Sequence, residues 1–468
     1  MRRTKIVATI GPASDDPETL ARLVEAGMDV ARLNFAHGDF EQMAATAERV
    51  RNAADRAGRR VAILQDLPGP KLRIGPVVDD LAELATGDQL TLVCGSEELG
   101  NADRLTVSWD GLAAAVSPND VIYLADGAVR LRVEAVRVDV CEVDTLIEVG
   151  GGVTSRQGLN VPGELTALPA VAEDDLERLR FGATIGVDLV ALSFVRRPEE
   201  IVDLRTHTDT PLIAKIEKPQ AVENLEAIAE AADCLMVARG DLGIELQIEE
   251  IPLVQKRIIG QAGWLARPGI TATQMLDSMV VSTRPTRAEV TDVANAILDG
   301  TDAVMLSQET AIGSYPVQAV EMMAAIAQRT EQALPYRIWN EERVLRDERD
   351  PAYTVAYSAC AAARELRLDA LVVPTLSGRS ARLLSAHRPE VPIYALSPGK
   401  ETVRRCSLMW GVQASSMRRH EITEALIADA ARRVVELGWL KRGDRVGITA
   451  GLPSGRPGTT SLIQVQRV

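Results

Sequence analysis

The chain has 468 residues, 46% hydrophobic and 25% charged, a balance that excludes a disordered or collagen-like protein and allows about three domains. Its net charge of −14 argues against sequence-independent binding to nucleic acid or an anionic membrane, so any phosphate chemistry must rest on local cations in an acidic body. Five scattered cysteines without a Cys-x-x-Cys pair, and four histidines of which no two lie three or four residues apart, leave disulfide frameworks and His- or thiolate-bound metal without ligands.

From the start of the chain, Met1-Arg2-Arg3 leads only into Ile6–Ile10 before Gly11-Pro12, too short for a signal peptide or a membrane span of about 18 residues. A reducing cytosol is the expected compartment. The apolar runs Lys5–Ile10, Val30–Phe35 and Val61–Leu64 alternate with amphipathic stretches and predict βα units. From about Pro70 to Pro169 the texture changes to valine-rich strands and turn signals such as Gly87-Asp88 and Asp126-Gly127, which predicts an inserted, mostly β domain. The alternation resumes at Leu189–Phe194, Leu212–Ile216, Leu235–Ala238, Ile270–Thr273 and Ala303–Leu306, with helices predicted near 173–182, 197–205, 222–231, 288–298 and 317–332. Three strands before the insertion and five after it make a (β/α)8 barrel. The expected division is residues 1–69 and 170–335 for the barrel, 70–169 for a β-barrel-like lid, 336–350 for a linker and 351–468 for an open-sheet α/β domain. In that last domain Leu371–Pro374, Ile393–Leu396 and Val446–Thr449 read as strands.

Reactive residues of a barrel enzyme gather at the C-terminal ends of its strands. Here those ends carry Arg32 and Asn34, Asp66, Ser193, Lys215 and Glu217, Arg239 and Asp241, and Thr273. Any one of them alone reads as a solvated side chain or a surface ion pair, but coincidence at so many strand ends is improbable. Glu217 and Asp241 offer hard oxygens suited to Mg²⁺ or Mn²⁺, with substrate oxygens and water completing the shell. Arg32, Arg73 and Lys215 supply the fixed positive charge that a transferring phosphoryl group needs. Gly240 admits a backbone approach to a carboxylate, although a tight turn explains it almost as well. His37 has no acidic partner in sequence, and its role is open between structural and nucleotide-contacting.

The segments Thr4–Ser14, Ala31–Gly38, Ala214–Pro219, Met236–Gly243, Thr271–Met275 and Arg284–Glu289 together resemble the pyruvate kinase family over nearly the full length. The resemblance implies phosphoryl transfer from phosphoenolpyruvate to ADP, giving pyruvate and ATP in glycolysis. It implies that Lys215 stabilises the transferring phosphoryl group, that Glu217 and Asp241 hold Mg²⁺, that Arg32 and Arg73 bind the phosphoryl group, and that Asn34 and His37 sit in the nucleotide and cation loop, with Arg73 also near the nucleotide. Thr273 matches a substrate-binding threonine linked to enolate protonation, and Gly240 a backbone contact to the substrate carboxylate. The segment Thr375, Leu376, Ser377, Gly378, Arg379, Ser380 looks like the family's loop for a phosphorylated allosteric effector, with Gly451–Thr460 closing over it. A homotetramer is expected.

Two departures from the family pattern fall in its monovalent-cation site. Ala36 stands where serine is common, and the loop Asp66-Leu67-Pro68-Gly69-Pro70-Lys71-Leu72-Arg73-Ile74 carries Lys71 where many members have glutamate. Asn34 and Asp66 remain, so the expectation is an enzyme in which the Lys71 ammonium replaces potassium. Leu67 and Ile74, at positions usually threonine, suit a pocket that no longer coordinates a free cation. Gln308, where glycine is usual, has no reading from sequence. Two other functions compete: a Mg²⁺-dependent lyase acting through a pyruvate enolate, and a non-catalytic sugar-phosphate sensor.

Overall fold

A computed structural model describes residues 2–36, 39–70, 72–161, 171–336, 339, 350–451 and 460–468. His37, Lys71, most of the expected linker and residues 452–459 of the expected closing loop lie outside the described residues. Eight parallel strands, β1 (Lys5–Ile10), β2 (Val30–Asn34), β3 (Ala62–Leu67), β4 (Leu189–Leu192), β5 (Leu212–Ile216), β6 (Cys234–Ala238), β7 (Gly269–Ala272) and β8 (Ala303–Leu306), close into a barrel.

Alternation along each strand divides the buried residues into two sets. Val7, Val30, Leu64, Ala191, Ile213, Met236, Ile270 and Met305 fill the barrel interior, one from each strand. Their neighbours Ile6, Leu33, Ile63, Leu192, Leu212, Leu235 and Val304 belong to the outer cluster that the helices cover. Leu408, from the C-terminal domain, joins the interior set and so plugs one end.

That end is the floor, and a repeated device finishes it. Asp29, Asp188, Asp233 and Asp302 each stand one residue before an even-numbered strand. Each donates its backbone N–H to the carbonyl of Ile6, Ile63, Leu212 or Gly269 respectively, and its carboxylate accepts the N–H of that same residue at 2.9–3.0 Å. The carboxylates thereby satisfy amides that the odd strands would leave unpaired. Each is matched by arginine: Asp29 by Arg2 at 2.7 Å, Asp188 by Arg51 and Arg404 at 2.6 Å, Asp233 by Arg205 at 2.8 Å and Asp302 by Arg388 at 2.9 Å. Arg388 and Arg404 come from the C-terminal domain, so this domain completes the caps of the opposed strands β4 and β8.

Between β3 and β4 lies a curled six-stranded sheet with its own core, including Leu92, Ile122, Leu131 and Val143. The C-terminal domain is a five-stranded sheet in which Ala370–Pro374, Ile393–Ser397, Val412–Ser416 and Arg445–Gly451 are parallel and Thr460–Arg467 returns antiparallel at the edge. Among the described residues no helix is long and apolar enough to cross a membrane.

Asp302→Asn is expected to lower unfolding stability by about 3–5 kcal/mol, because it strands a buried guanidinium. Arg388 is 1% exposed and has no other carboxylate partner among the described residues. Urea or thermal unfolding measures the loss, and a change below about 1 kcal/mol would show that the cap is not charge-dependent.

Candidate active site

At the opposite end of the barrel the strand ends form one polar network. Arg32, in β2, donates through Nε to Asp66 Oδ2 at 2.7 Å and through Nη1 to the Thr9 hydroxyl at 2.9 Å. Asp66, 2% exposed, is paired in register with Asn34 across β2 and β3. Its second oxygen lies 3.3 Å from Lys215 Nζ. Lys215, in β5, donates to Ser193 Oγ at 2.7 Å, and Ser193 donates in turn to the Leu67 carbonyl at 2.7 Å. Lys215 Nζ is also 2.9 Å from Glu217 Oε1.

These contacts set the charges. Burial would lower the Lys215 pKa, but Asp66 and Glu217 outweigh it and hold it above the ordinary lysine value. Burial would likewise raise Asp66, yet Lys215 and Arg32 hold its carboxyl below the usual range. For Glu217, which is fully buried, burial wins: with Asp241 adding to the push, its pKa is raised in spite of Lys215.

The backbone is bent to serve the same residues. Phe194 has φ +55°, and its N–H meets Glu217 Oε2 at 2.7 Å. Thr273 and Gln274 follow β7 with φ +67° and +52°, consecutive left-handed non-glycine residues of the kind that accumulate where surrounding contacts hold strain. The Thr273 hydroxyl accepts the Gly240 N–H at 2.7 Å and donates to the Ala272 carbonyl at 2.7 Å, and Arg239 holds the Thr273 carbonyl at 2.7 Å and pairs with Asp292. Asp241 lies in the first turn of the helix Arg239–Glu245.

The structure therefore brings together Arg32, Asp66, Ser193, Lys215 and Glu217, and joins Gly240 to Thr273. Arg73 is placed otherwise: it forms an isolated antiparallel bridge with Gly158 of the inserted domain, and its guanidinium donates to the Arg156 carbonyl at 2.9 Å. No described contact links it to Lys215. Asn34 turns its Oδ1 to the Ala36 N–H at 3.2 Å. Sequence reading missed Thr9 and Glu309. Glu309, 1% exposed, accepts the N–H groups of Leu276 and Ser307 at 3.0 and 2.7 Å and so binds the β7 and β8 loops together, while its neighbour Gln308 points to solvent. Thr9 had a usable signal, a hydroxyl at the end of the first strand; a buried carboxylate capping two loops has none.

For a divalent cation the donors fit. Glu217 Oε1 is buried without an aligned hydrogen bond, and two carboxylates on adjacent strand ends leave the remaining positions to substrate and water.

Fold and site define a barrel enzyme with an inserted β domain, whose mouth sets the paired cations Arg32 and Lys215 beside the buried carboxylates Asp66 and Glu217. The comparisons with known proteins are specific: a family profile described as the pyruvate kinase barrel domain matches residues 1–320, and one for the pyruvate kinase alpha/beta domain matches residues 353–466. Pyruvate kinases of Bacillus licheniformis and Geobacillus stearothermophilus are each 44% identical over 99% of this chain and 80% of theirs. A solved pyruvate kinase from Cryptosporidium parvum superposes with a TM-score of 0.92 at 32% identity, over 100% of this chain and 96% of that one. The chain belongs to the pyruvate kinase family. It is a phosphotransferase, with phosphoenolpyruvate and ADP as the substrates that family implies, and nothing in the site favours the lyase or sensor readings.

Asp66→Asn is expected to lower kcat/KM at least about 100-fold, because two buried cations lose the anion that holds them side by side. The depressed Asp66 carboxyl stabilises the fold above the unfolded carboxylate pKa and loses that contribution as pH falls through its lower folded value. The variant should therefore show a shallower loss of melting temperature on acidification, and an unchanged acid profile would contradict the assignment.

Proposed function

We propose that the enzyme is Mg²⁺-dependent and potassium-independent, and that the strand-end residues divide the work as follows. Arg32 and Lys215 neutralise the phosphoryl oxygens during transfer, with Lys215 also facing the enolate oxygen that forms as the phosphoryl group leaves. Glu217 and Asp241 would hold the metal, which when bound supplies Lewis-acid charge to the phosphoryl and enolate oxygens. Thr273, fixed by Gly240 and Arg239, orients the substrate near the carbon to be protonated, and Gly240 presents backbone to its carboxylate. Asn34, Arg73 and His37 serve the nucleotide side, with Arg73 delivered by the lid. Because most of these groups are held before substrate arrives, little reorganisation is left to the chemical step.

Potassium independence is carried by the engagement of Asp66. Both of its oxygens already face protein cations, Arg32 and Lys215, and Ala36 brings no hydroxyl to the loop. In the sequence Lys71 stands where an anionic residue is usual, and a covalently delivered ammonium needs no ion to be recruited. Turnover is expected to be nearly equal in potassium and tetramethylammonium salts. A tenfold or larger rise on adding potassium would contradict this.

The C-terminal segment Thr375–Ser380 supports the effector reading. Gly378, φ +84°, donates its N–H to the Thr375 hydroxyl at 3.0 Å and opens the helix Arg379–Ala386, and the Ser380 and Thr460 hydroxyls meet. A loop of hydroxyls and a helix N-terminus suits a phosphorylated effector. A homotetramer in the cytoplasm completes the reading; the five cysteines are free thiols.

Lys215→Met is expected to reduce kcat at least about 10³-fold while phosphoenolpyruvate still binds. Glu217→Ala should show its defect as a raised Mg²⁺ requirement. Steady-state kinetics across Mg²⁺ concentrations checks both, and near-normal turnover of Lys215→Met would overturn the division of roles.

A further inference from the structure

One ion pair beside the two metal-bearing segments has no part in that chemistry. Lys218 directly follows Glu217, its ammonium pairs with Glu245, and it reaches the Val161 carbonyl of the inserted domain at 3.4 Å. The two side chains are 11% and 1% exposed. Glu245 ends the helix Arg239–Glu245 four residues after Asp241, a spacing that puts both carboxylates on one helix face. Burial raises the Glu245 pKa, Lys218 opposes the rise and the Asp241 charge adds to it. Glu217 Oε1 and Glu245 Oε2 are both buried without an aligned hydrogen bond. Even so, Glu217, Asp241 and Glu245 do not converge as a three-ligand metal cluster among the described residues.

A divalent ion gains affinity from each added carboxylate. A third one here would occupy a position that substrate oxygens must take, and would bring negative charge to the place where an anionic substrate lands. Lys218 is the only cation in ion-pair contact with Glu245 among the described residues, and the Val161 contact fixes the ammonium from a second side. We propose that Lys218 is a positioning residue that engages Glu245 and keeps it from becoming a third metal ligand, so that the ion retains two protein carboxylates and open positions for substrate. The inference rests on the assignment of Glu217 and Asp241 to the metal.

The sign of one measurement separates this role from simple structural support. Mn²⁺ binding to the full-length enzyme without substrate, followed by electron paramagnetic resonance of the free ion, should tighten at least about fivefold in Lys218→Met, because the released Glu245 joins the ion. At the same time kcat/KM for phosphoenolpyruvate should fall at least about tenfold. Lys218→Gln, which removes the cation that holds Glu245 but keeps a polar side chain in its place, is the second variant should the methionine variant not fold, and the same tightening is expected of it. Adding Glu245→Gln to either one should return Mn²⁺ affinity toward wild type and recover activity. Unchanged or weaker Mn²⁺ binding in a folded Lys218 variant overturns the proposal while leaving the metal site standing. Equal Mn²⁺ binding by wild type and Glu217→Ala would instead overturn the metal assignment, and the proposal with it.

Discussion

Two cations stand side by side at the barrel mouth because one buried carboxylate holds both. Without Asp66, Arg32 and Lys215 would repel each other in a site whose burial already penalises charge, and the Lys215 ammonium would lose the largest influence that raises its pKa. With Asp66, the ammonium stays charged and aimed, Ser193 takes one of its hydrogen bonds, and Glu217 remains close by with an oxygen free of aligned donors. Such an arrangement suits phosphoryl transfer, in which the protein supplies charge and position more than covalent chemistry.

The two ends of the barrel solve opposite problems. At the floor, four aspartates close the strand amides and are neutralised by arginine, and Leu408 seals the interior. At the mouth, left-handed residues Phe194 and Thr273 give up regular geometry, the first to aim an amide and the second a hydroxyl and a carbonyl at their partners. A parallel barrel makes this possible because each strand joins a stability end to a reaction end. β4 does so over a few residues, from Asp188, tied to the C-terminal domain by Arg404, to Ser193 beneath Lys215. That short path makes the C-terminal domain part of the frame of the site.

Much of this was legible from sequence. β1, β5 and β8 are the strands their apolar runs predict, since each run is bounded by polar or turn residues. β3 runs on to Leu67, past the predicted Leu64, because Gln65 and Asp66 interrupt the apolar pattern yet belong to the strand. β4 stops at Leu192, before the predicted Phe194, because a good strand former adopts φ +55° to serve Glu217. The helix Ile251–Trp264 and the strands Val412–Ser416 and Thr460–Arg467 were not foreseen, the strands being polar edges with weak alternation. Site residues announced themselves by recurring at strand ends. The grouping of Arg73 with the barrel cations was not testable that way, because it lies beyond the point where the chain leaves the barrel for the inserted domain, and its position there depends on an isolated bridge to Gly158.

The central claim is that this mouth moves a phosphoryl group intact between two bound substrates. Phosphorus-31 NMR of the wild-type enzyme with phosphoenolpyruvate, ADP and Mg²⁺ tests it most directly. The account predicts that the phosphoenolpyruvate signal decays in step with growth of the β-phosphate signal of ATP, with no inorganic phosphate, and that omitting ADP stops the decay. Decay without ADP, or phosphate appearing in place of ATP, would contradict it.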